Sequence, residues 1–241
     1  MTLYTNSPLV DFIKLSPNRN SPRNHVIDTV TIHCTAGRAT VESLGQMFAS
    51  PGRQASSNYG IGYDGRIGMY VSEQDRSWCS SSPSNDNRAV TIEVSSTNYD
   101  PYEVTPESYE SLIRLLVDIC RRNGIDRLRW RGDPKLVGQP DKQNMTVHRW
   151  FAAKACPGDW LYSRHGEIAD RVNALLEPKK EEIVKRYQTV EEIAAAMPYA
   201  EPTIRKLIER GVLTGKATGL DLSEDMIRMF VILDRANAFD R

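Results

Sequence analysis

The sequence predicts an α/β domain with a central mixed β-sheet flanked by helices, followed by a small all-α C-terminal domain. Three observations support this prediction. Strand-like and helix-like segments alternate through the first part of the 241-residue chain, as expected for one sheet with helices on its faces. Asp64-Gly65 joins two strand-like segments in the manner of a β-hairpin. Beyond a polar stretch near residue 177, only helical patterns follow.

The predicted strands are short runs with β-branched residues at their centres. The first covers 28–33 (DTVTIH). Strands 59–63 and 66–71 flank the Asp-Gly turn, and a further strand, 89–94 (AVTIEV), alternates apolar and polar residues. We therefore expect a sheet built from at least four segments of the first domain.

A long helix follows these strands. It begins at Thr105, a favoured capping residue, with Pro106 in the first turn. Asn123-Gly124 is a typical helix end. The apolar stripe of this helix, spaced for one buried face, consists of Leu112, Ile113, Leu116 and Cys120.

The polar, proline-containing segment 177–182 (EPKKEE) separates two patterns and predicts domains at 1–177 and 183–241. Helices of the second domain are expected to begin at Thr189, Pro202 and Ser223. So small a helical unit buries little surface. We expect it to bind a cell-wall ligand, the first domain or a second copy of itself.

Residues 189–213 also fit a helix-turn-helix motif. From Glu181 onward, however, nine Lys and Arg oppose eleven Asp and Glu, a net charge of −2, and the whole chain has a formal net charge of zero. A nucleic-acid partner usually requires a basic excess, so we expect none. The sequence contains no apolar run near the ~20 residues that a membrane span needs, and no membrane insertion is expected.

The N-terminal residues MTLYTNSPLVDF lack the basic start and apolar stretch of a signal peptide. We therefore expect synthesis in the cytoplasm without a signal peptide. Action outside the membrane would then need another route of release.

Three side chains form a candidate metal centre. His33 closes the first strand, whereas His148 and Cys156 lie far downstream. Zinc accepts nitrogen and sulfur ligands tetrahedrally, and three protein ligands leave the fourth position for water, as in catalytic zinc sites. Because zinc lowers the pKa of bound water to about 7, this pattern predicts one catalytic Zn²⁺ held by His33, His148 and Cys156.

Three further residues are candidate catalytic groups. Lys154 lies two residues before Cys156 and could stabilise an oxyanion. Tyr59 could donate a hydrogen bond to the same oxyanion. Glu93, in the strand 89–94, could accept a proton from water and deliver it to the leaving nitrogen. The sequence leaves open whether Glu93 or Tyr59 assists the water.

Four segments carry a family resemblance: 31–37 (TIHCTAG), 57–65 (SNYGIGYDG), 89–93 (AVTIE) and 148–158 (HRWFAAKACPG). In this order they resemble the zinc amidases that include phage lysozyme-type amidases and peptidoglycan-recognition proteins. The resemblance implies cleavage of the amide between N-acetylmuramic acid and L-alanine in peptidoglycan. It places the ligands at His33, His148 and Cys156, the catalytic lysine at Lys154 and a catalytic tyrosine at Tyr59. Glu93 stands where other members have an acid.

Two positions depart from the family pattern. Asn58 replaces a frequent histidine, and Cys79 follows Trp78 where Trp-His is common. Segments 202–211 (PTIRKLIERG) and 222–228 (LSEDMIR) of the second domain resemble the small C-terminal modules of endolysins from phages of clostridia and related Gram-positive bacteria. This resemblance implies a phage or prophage endolysin that reaches the cell wall through a holin.

The remaining cysteines and histidines have simpler interpretations. Cys34 follows His33 on a strand and should face the core, as should Cys120 on the helix stripe. Cys79 fits either the groove rim or plain packing. His25 and His165 are expected at the surface.

Two functions fit the metal pattern. One is a hydrolase, and the other is a recognition module that holds a muropeptide without cutting it. Non-cutting family members typically lack the thiolate ligand, so Cys156 favours the hydrolase.

Overall fold

The computed structural model describes residues 5–177 and 184–239. The chain divides into two compact units, Met1–Pro178 and Lys179–Arg241. Most of the predicted separating segment 177–182 lies outside the described residues. Within the described parts, helices long and apolar enough to cross a membrane are absent.

The first unit is built on a mixed sheet of six strands, which confirms the predicted fold class. The spatial order is β1-β5-β4-β7-β3-β8, and β2 pairs with β6 outside this sheet. The strands of the unit are β1 (Phe12–Ile13), β2 (Arg19–Asn20), β3 (Thr29–Cys34), β4 (Tyr59–Ile61), β5 (Ile67–Met69), β6 (Arg76–Ser77), β7 (Ala89–Val94) and β8 (Met145–Thr146).

The directions in which the strands pair determine which candidate site residues lie close together. Strands β4, β7, β3 and β8 run parallel, so their carboxyl ends share one edge of the sheet. The antiparallel pair β4 and β5 forms the predicted hairpin, and Gly65 in its turn has a φ of 82° that favours glycine. Parallel register aligns His33 with Glu93, and Glu93 with Gly60, on one face.

Two long helices, α3 (Pro106–Asn123) and α4 (Gly158–Leu176), pack on the face opposite to His33. The Thr105 side chain caps α3 as predicted, and Gly124 ends it in the left-handed conformation with a φ of 68°. This layer forms the main core, which includes Ile32, Ile92, Leu112, Leu116, Cys120 and Ile168.

Two shorter helices, α1 (Val41–Ala49) and α2 (Pro83–Arg88), cover parts of the His33 face. A β-carbon at Gly60 would lie 2.9 Å from Leu44 of α1, so glycine permits the close approach of this helix. Asn85 of α2 donates a 3.0 Å hydrogen bond to Thr31 of β3. A groove lined by residues of both helices and by Glu93 remains on this face.

The second unit contains α5 (Val190–Ala196), α6 (Glu201–Glu209) and α7 (Glu224–Arg235), together with the antiparallel two-residue strands β9 (Arg186–Tyr187) and β10 (Leu222–Ser223). Helices make up most of this unit, as predicted, and one short strand pair accompanies them. The predicted caps are present, because Thr189 and Ser223 accept hydrogen bonds from Glu192 and Met226. The core of the unit consists chiefly of Ile193, Ile204, Leu222, Ile227 and Val231.

Candidate active site

The structure brings the three predicted metal ligands together. His33 lies near the end of β3, and His148 follows the neighbouring parallel strand β8. The His33 Nδ1 and Cys156 Sγ atoms are 3.3 Å apart, and the centroids of the His33 and His148 rings are 5.2 Å apart. One ligand atom from each of the three residues lies within 4.8 Å of the other two. The predicted constellation is therefore a single cluster.

The Cys156 loop is fixed by the turn that carries His148. The backbone N–H of Arg149 donates to the Cys156 carbonyl at 3.1 Å. The Arg149 guanidinium donates to the Ala155 carbonyl at 2.6 Å and to Asp159 at 2.9 Å. These bonds hold Cys156 beside His148 although eight residues separate the two in sequence.

The two imidazoles are neutral at physiological pH. Complete burial, with a smaller effect of His148, lowers the pKa of His33 to about 3. Burial also lowers the pKa of His148, and the charge of Lys154 acts in the same direction. Neutral imidazole is the form that coordinates metals, so both side chains are ready to serve as ligands.

Cys34 and Cys156 lie beside each other. Interaction with the Cys34 side chain, followed by burial, raises the pKa of Cys156 well above that of an ordinary thiol, and interaction with Cys156 lowers the pKa of Cys34. The backbone N–H of Cys34 also lies 3.4 Å from the Cys156 sulfur. A metal ion beside Cys156 would deprotonate that thiol outright. Two imidazoles and one thiolate are a donor set that fits zinc.

Glu93 lies beside His33 on β7 and lines the same groove. Its Oε1 atom is 3.8 Å from the Cys79 sulfur, and its Oε2 atom is buried without a hydrogen-bond partner among the described residues. Burial, followed by the electrostatic effect of Cys34, raises the pKa of Glu93 to about 8. The carboxyl group can therefore exchange a proton close to neutral pH.

Lys154 lies at the mouth of the groove, with an exposed side chain. The groove has a volume of about 550 Å³ and is also lined by Glu93, His148 and Cys156. An ammonium group at this position can contact a substrate that enters the groove. The structure thus brings five of the six predicted site residues together.

Tyr59 is the exception, and its predicted catalytic role is wrong. Tyr59 pairs with Ile92 in the register of β4 and β7, so its side chain lies on the face opposite to Glu93. The ring is fully buried in the main core. Its hydroxyl donates to Glu73 at 2.6 Å and accepts from the Ser7 N–H at 2.9 Å. The tyrosine is a structural residue, and Glu93 is the predicted proton acceptor that faces the groove.

Comparison with protein families accounts for this arrangement. Residues 23–159 match the family described as N-acetylmuramoyl-L-alanine amidase. The chain belongs to this amidase family. The matched range contains all three candidate ligands together with Glu93 and Lys154. The predicted family and enzyme class are therefore confirmed, and the chain is a peptidoglycan amidase.

Solved structures show the same fold at low sequence identity. The amidase is similar to a structure described as a selenomethionine derivative of AmpD, with a TM-score of 0.51 and 17% identity over 69% of this chain and 99% of the other. It is also similar to a mutant endolysin from Bacillus subtilis, with a TM-score of 0.50 and 14% identity over 68% of this chain and 99% of that one. Among curated proteins, none matches the chain.

Sequence reasoning missed two residues that contact the candidate ligands or the loop that carries them. Arg149 ties the Cys156 loop to the His148 turn, as described above. The Ser81 Oγ atom lies 3.0 Å from His148 Nε2. Nothing in the spacing of Ser81 from the ligands marks it, because 67 residues separate it from His148.

The other predictions have mixed outcomes in the amidase. Cys34 is buried in the core, but it also reaches Cys156 and the groove. Cys79 lines the groove near Glu93, and Asn58 lies in the interior, where its amide donates to the Val71 carbonyl at 3.2 Å. His25 is partly exposed, as expected of a surface residue. The predicted surface position of His165 is wrong, because this side chain is fully buried beside Trp130.

Proposed function

We propose that the protein is a zinc-dependent amidase that cleaves the bond between N-acetylmuramic acid and L-alanine, and that it acts as a phage or prophage endolysin. The observation that carries the zinc assignment is the convergence of His33, His148 and Cys156 in one cluster, two members of which, His148 and Cys156, line the groove. The family match supplies the reaction class.

The proposed reaction adds water across an amide. Zinc held by His33, His148 and Cys156 would act as a Lewis acid that polarises the carbonyl and activates water. Lys154 donates a hydrogen bond to the carbonyl oxygen as negative charge develops there. Glu93 accepts a proton from the attacking water and returns it to the leaving nitrogen as the C–N bond breaks. The products are a free muramoyl carboxyl group and a free amino group on alanine.

We also propose that the second unit binds a cell-wall ligand or a second copy of the chain. Its separate core supports an independent module. Helix α7 exposes several large apolar side chains, namely Met226, Met229 and Ile232. Such side chains on a small unit favour contact with another surface. In the endolysin proposal, a holin gives this amidase access to the wall.

The first experiment measures clearing of purified Gram-positive cell walls and the appearance of new alanine amino groups. We expect both signals to vanish after thorough chelation and to return when zinc is added. The matched control is His25→Ala, which removes a partly exposed histidine outside the groove. Clearing that survives chelation would eliminate the zinc mechanism.

A second experiment tests the proton-transfer residue. Glu93→Gln preserves the size of the side chain but removes its ability to accept a proton. We expect wall cleavage to fall by roughly 10²–10⁴-fold, the usual contribution of general acid–base catalysis. A variant that folds, binds zinc and cleaves walls at the normal rate would remove Glu93 from the reaction.

A further inference from the structure

A second group of potential ligand atoms lies beside the same groove, which two of its three residues line. It consists of His33, Cys79 and Glu93, and one ligand atom from each lies within 4.8 Å of the other two. This group shares His33 with the first set but replaces His148 and Cys156 with a different thiol and a carboxylate. Imidazole, thiolate and carboxylate are all established ligands of zinc.

The fold holds these three side chains in place before any ion binds. His33 and Glu93 are direct partners in the register of β3 and β7. Cys79 lies in the loop before α2, where its backbone N–H donates to the Asp86 carboxylate at 3.0 Å. The N–H of Ser80 donates to the same carboxylate at 3.2 Å. Asp86 therefore fixes the loop that directs Cys79 towards Glu93.

Two buried atoms of this group lack partners. His33 Nε2 and Glu93 Oε2 make no hydrogen bond among the described residues, and the His33 side chain is fully buried. Buried polar groups are normally paired, because an unpaired one costs free energy. Unpartnered nitrogen and oxygen atoms beside a thiol form a site that a cation would satisfy.

We propose that His33, Cys79 and Glu93 form a second position for a divalent ion of the zinc type. The inference rests on the proposed zinc site only through His33. A neutral imidazole offers a metal only one lone pair, so His33 serves one ligand set at a time. Binding at the second position displaces the Cys79 thiol proton, and any proton on Glu93, to solvent. It also makes Glu93 a ligand and removes it from proton transfer, so an ion held there leaves the amidase inactive.

Cobalt(II) tests this proposal in the full-length protein, because thiolate ligation gives a sulfur-to-cobalt charge-transfer band in the near ultraviolet. The starting variant is Cys34→Ala/Cys156→Ser, which removes the ligand thiol of the first set and its neighbouring thiol. We expect this variant to bind one cobalt per chain and to keep the band. Adding Cys79→Ser should abolish the band, whereas adding Glu93→Gln should keep it and weaken affinity about tenfold.

The outcomes separate this inference from the proposed function. A wild-type protein without any band would contradict the first site. A band in the wild type but none in folded Cys34→Ala/Cys156→Ser would overturn the second position alone, as would a band that survives Cys79→Ser.

A second starting variant keeps the proposal testable if the double variant does not fold. His148→Ala changes a half-buried side chain and retains every thiol. In this background, Cys79→Ser should lower cobalt affinity at least about tenfold. Unchanged affinity would overturn the proposal.

Discussion

The Oγ atom of Ser81 lies 3.0 Å from Nε2 of His148. Ser81 adopts a φ of 64°, in the left-handed region that non-glycine residues seldom occupy. The next residue, Ser82, caps α2. The loop thus carries a hydroxyl to the outer nitrogen of the imidazole. A partner on Nε2 fixes the orientation of the ring and leaves Nδ1 available for the metal.

Ser81→Ala should weaken zinc binding by about 10–100-fold, the usual effect of losing a partner behind a metal ligand. The measurement is zinc affinity by competition with a chelator of known strength. Ser84→Ala is the matched control, because Ser84 is exposed in the same region and does not contact His148. Equal affinities for the two variants would show that Ser81 does not position His148.

Tyr59→Phe should leave the rate of wall cleavage unchanged and lower the free energy of unfolding by about 1–3 kcal/mol. The loss follows from removal of a buried hydrogen bond to the Glu73 carboxylate, which Arg122 also contacts at 2.6 Å. Urea unfolding and a cleavage assay provide the two measurements. Tyr99→Phe, at an exposed tyrosine, should change neither. A large loss of turnover in stable Tyr59→Phe protein would restore the catalytic interpretation.

Lys154→Ala should retain zinc and lose cleavage by a factor of ~10² or more, as observed when an oxyanion donor is removed. Zinc content and turnover are measured on the same preparation. Lys135→Ala removes another exposed lysine, outside the groove, and should behave as wild type. Normal turnover in Lys154→Ala would exclude Lys154 from the mechanism.

The clustering of the candidate metal ligands could be predicted from the sequence because it follows from strand direction. His33 ends a β-branched run, and the downstream His148 and Cys156 come with Lys154 in one short segment. Parallel strands β3 and β8 place the two histidines at the same edge of the sheet. The boundaries of α3 also followed directly from Thr105, Pro106 and Gly124, since caps are encoded locally.

Tyr59 shows where sequence reasoning fails. Adjacent residues of a strand point to opposite faces, so a shift of one position moves a side chain from the groove to the core. The motif 57–65 indicates a strand but does not identify the face on which Tyr59 lies. Only the register with β7, which pairs Tyr59 with Ile92 and Gly60 with Glu93, decides it. Ser81 was beyond prediction because its contact depends on a loop conformation and not on a repeat or spacing.

His165 was expected at the surface because polar residues flank it, yet it is fully buried on α4. Its Nδ1 atom lies 2.8 Å from the Leu161 carbonyl, and its ring centroid is 4.4 Å from that of Trp130. Nε2 is buried and has no hydrogen-bond partner within the described part of the chain. Burial is the main cause that lowers the pKa of His165 to about 4, and the charge of Arg149 contributes.

This pKa predicts a specific dependence of stability on pH. Above pH 6.5, His165 is neutral in both the folded and the unfolded chain, so its contribution to the free energy of unfolding is fully retained. Between pH 6.5 and 4, the unfolded chain binds a proton that the folded chain does not bind, and stability falls as pH falls. From pH 7 to pH 5 the loss due to His165 should be about 2 kcal/mol.

The measurement is urea unfolding at pH 7 and pH 5, in chelator, for the wild type and for His165→Asn. Asparagine can still donate to the Leu161 carbonyl but does not titrate. The contribution of His33 is common to both proteins, so the difference between their pH dependences isolates His165. We expect His165→Asn to lose about 2 kcal/mol less than the wild type over this interval. Identical pH dependences would mean that His165 does not remain neutral in the folded protein. A histidine whose pKa is the same in the folded and unfolded chain does not make the free energy of unfolding depend on pH.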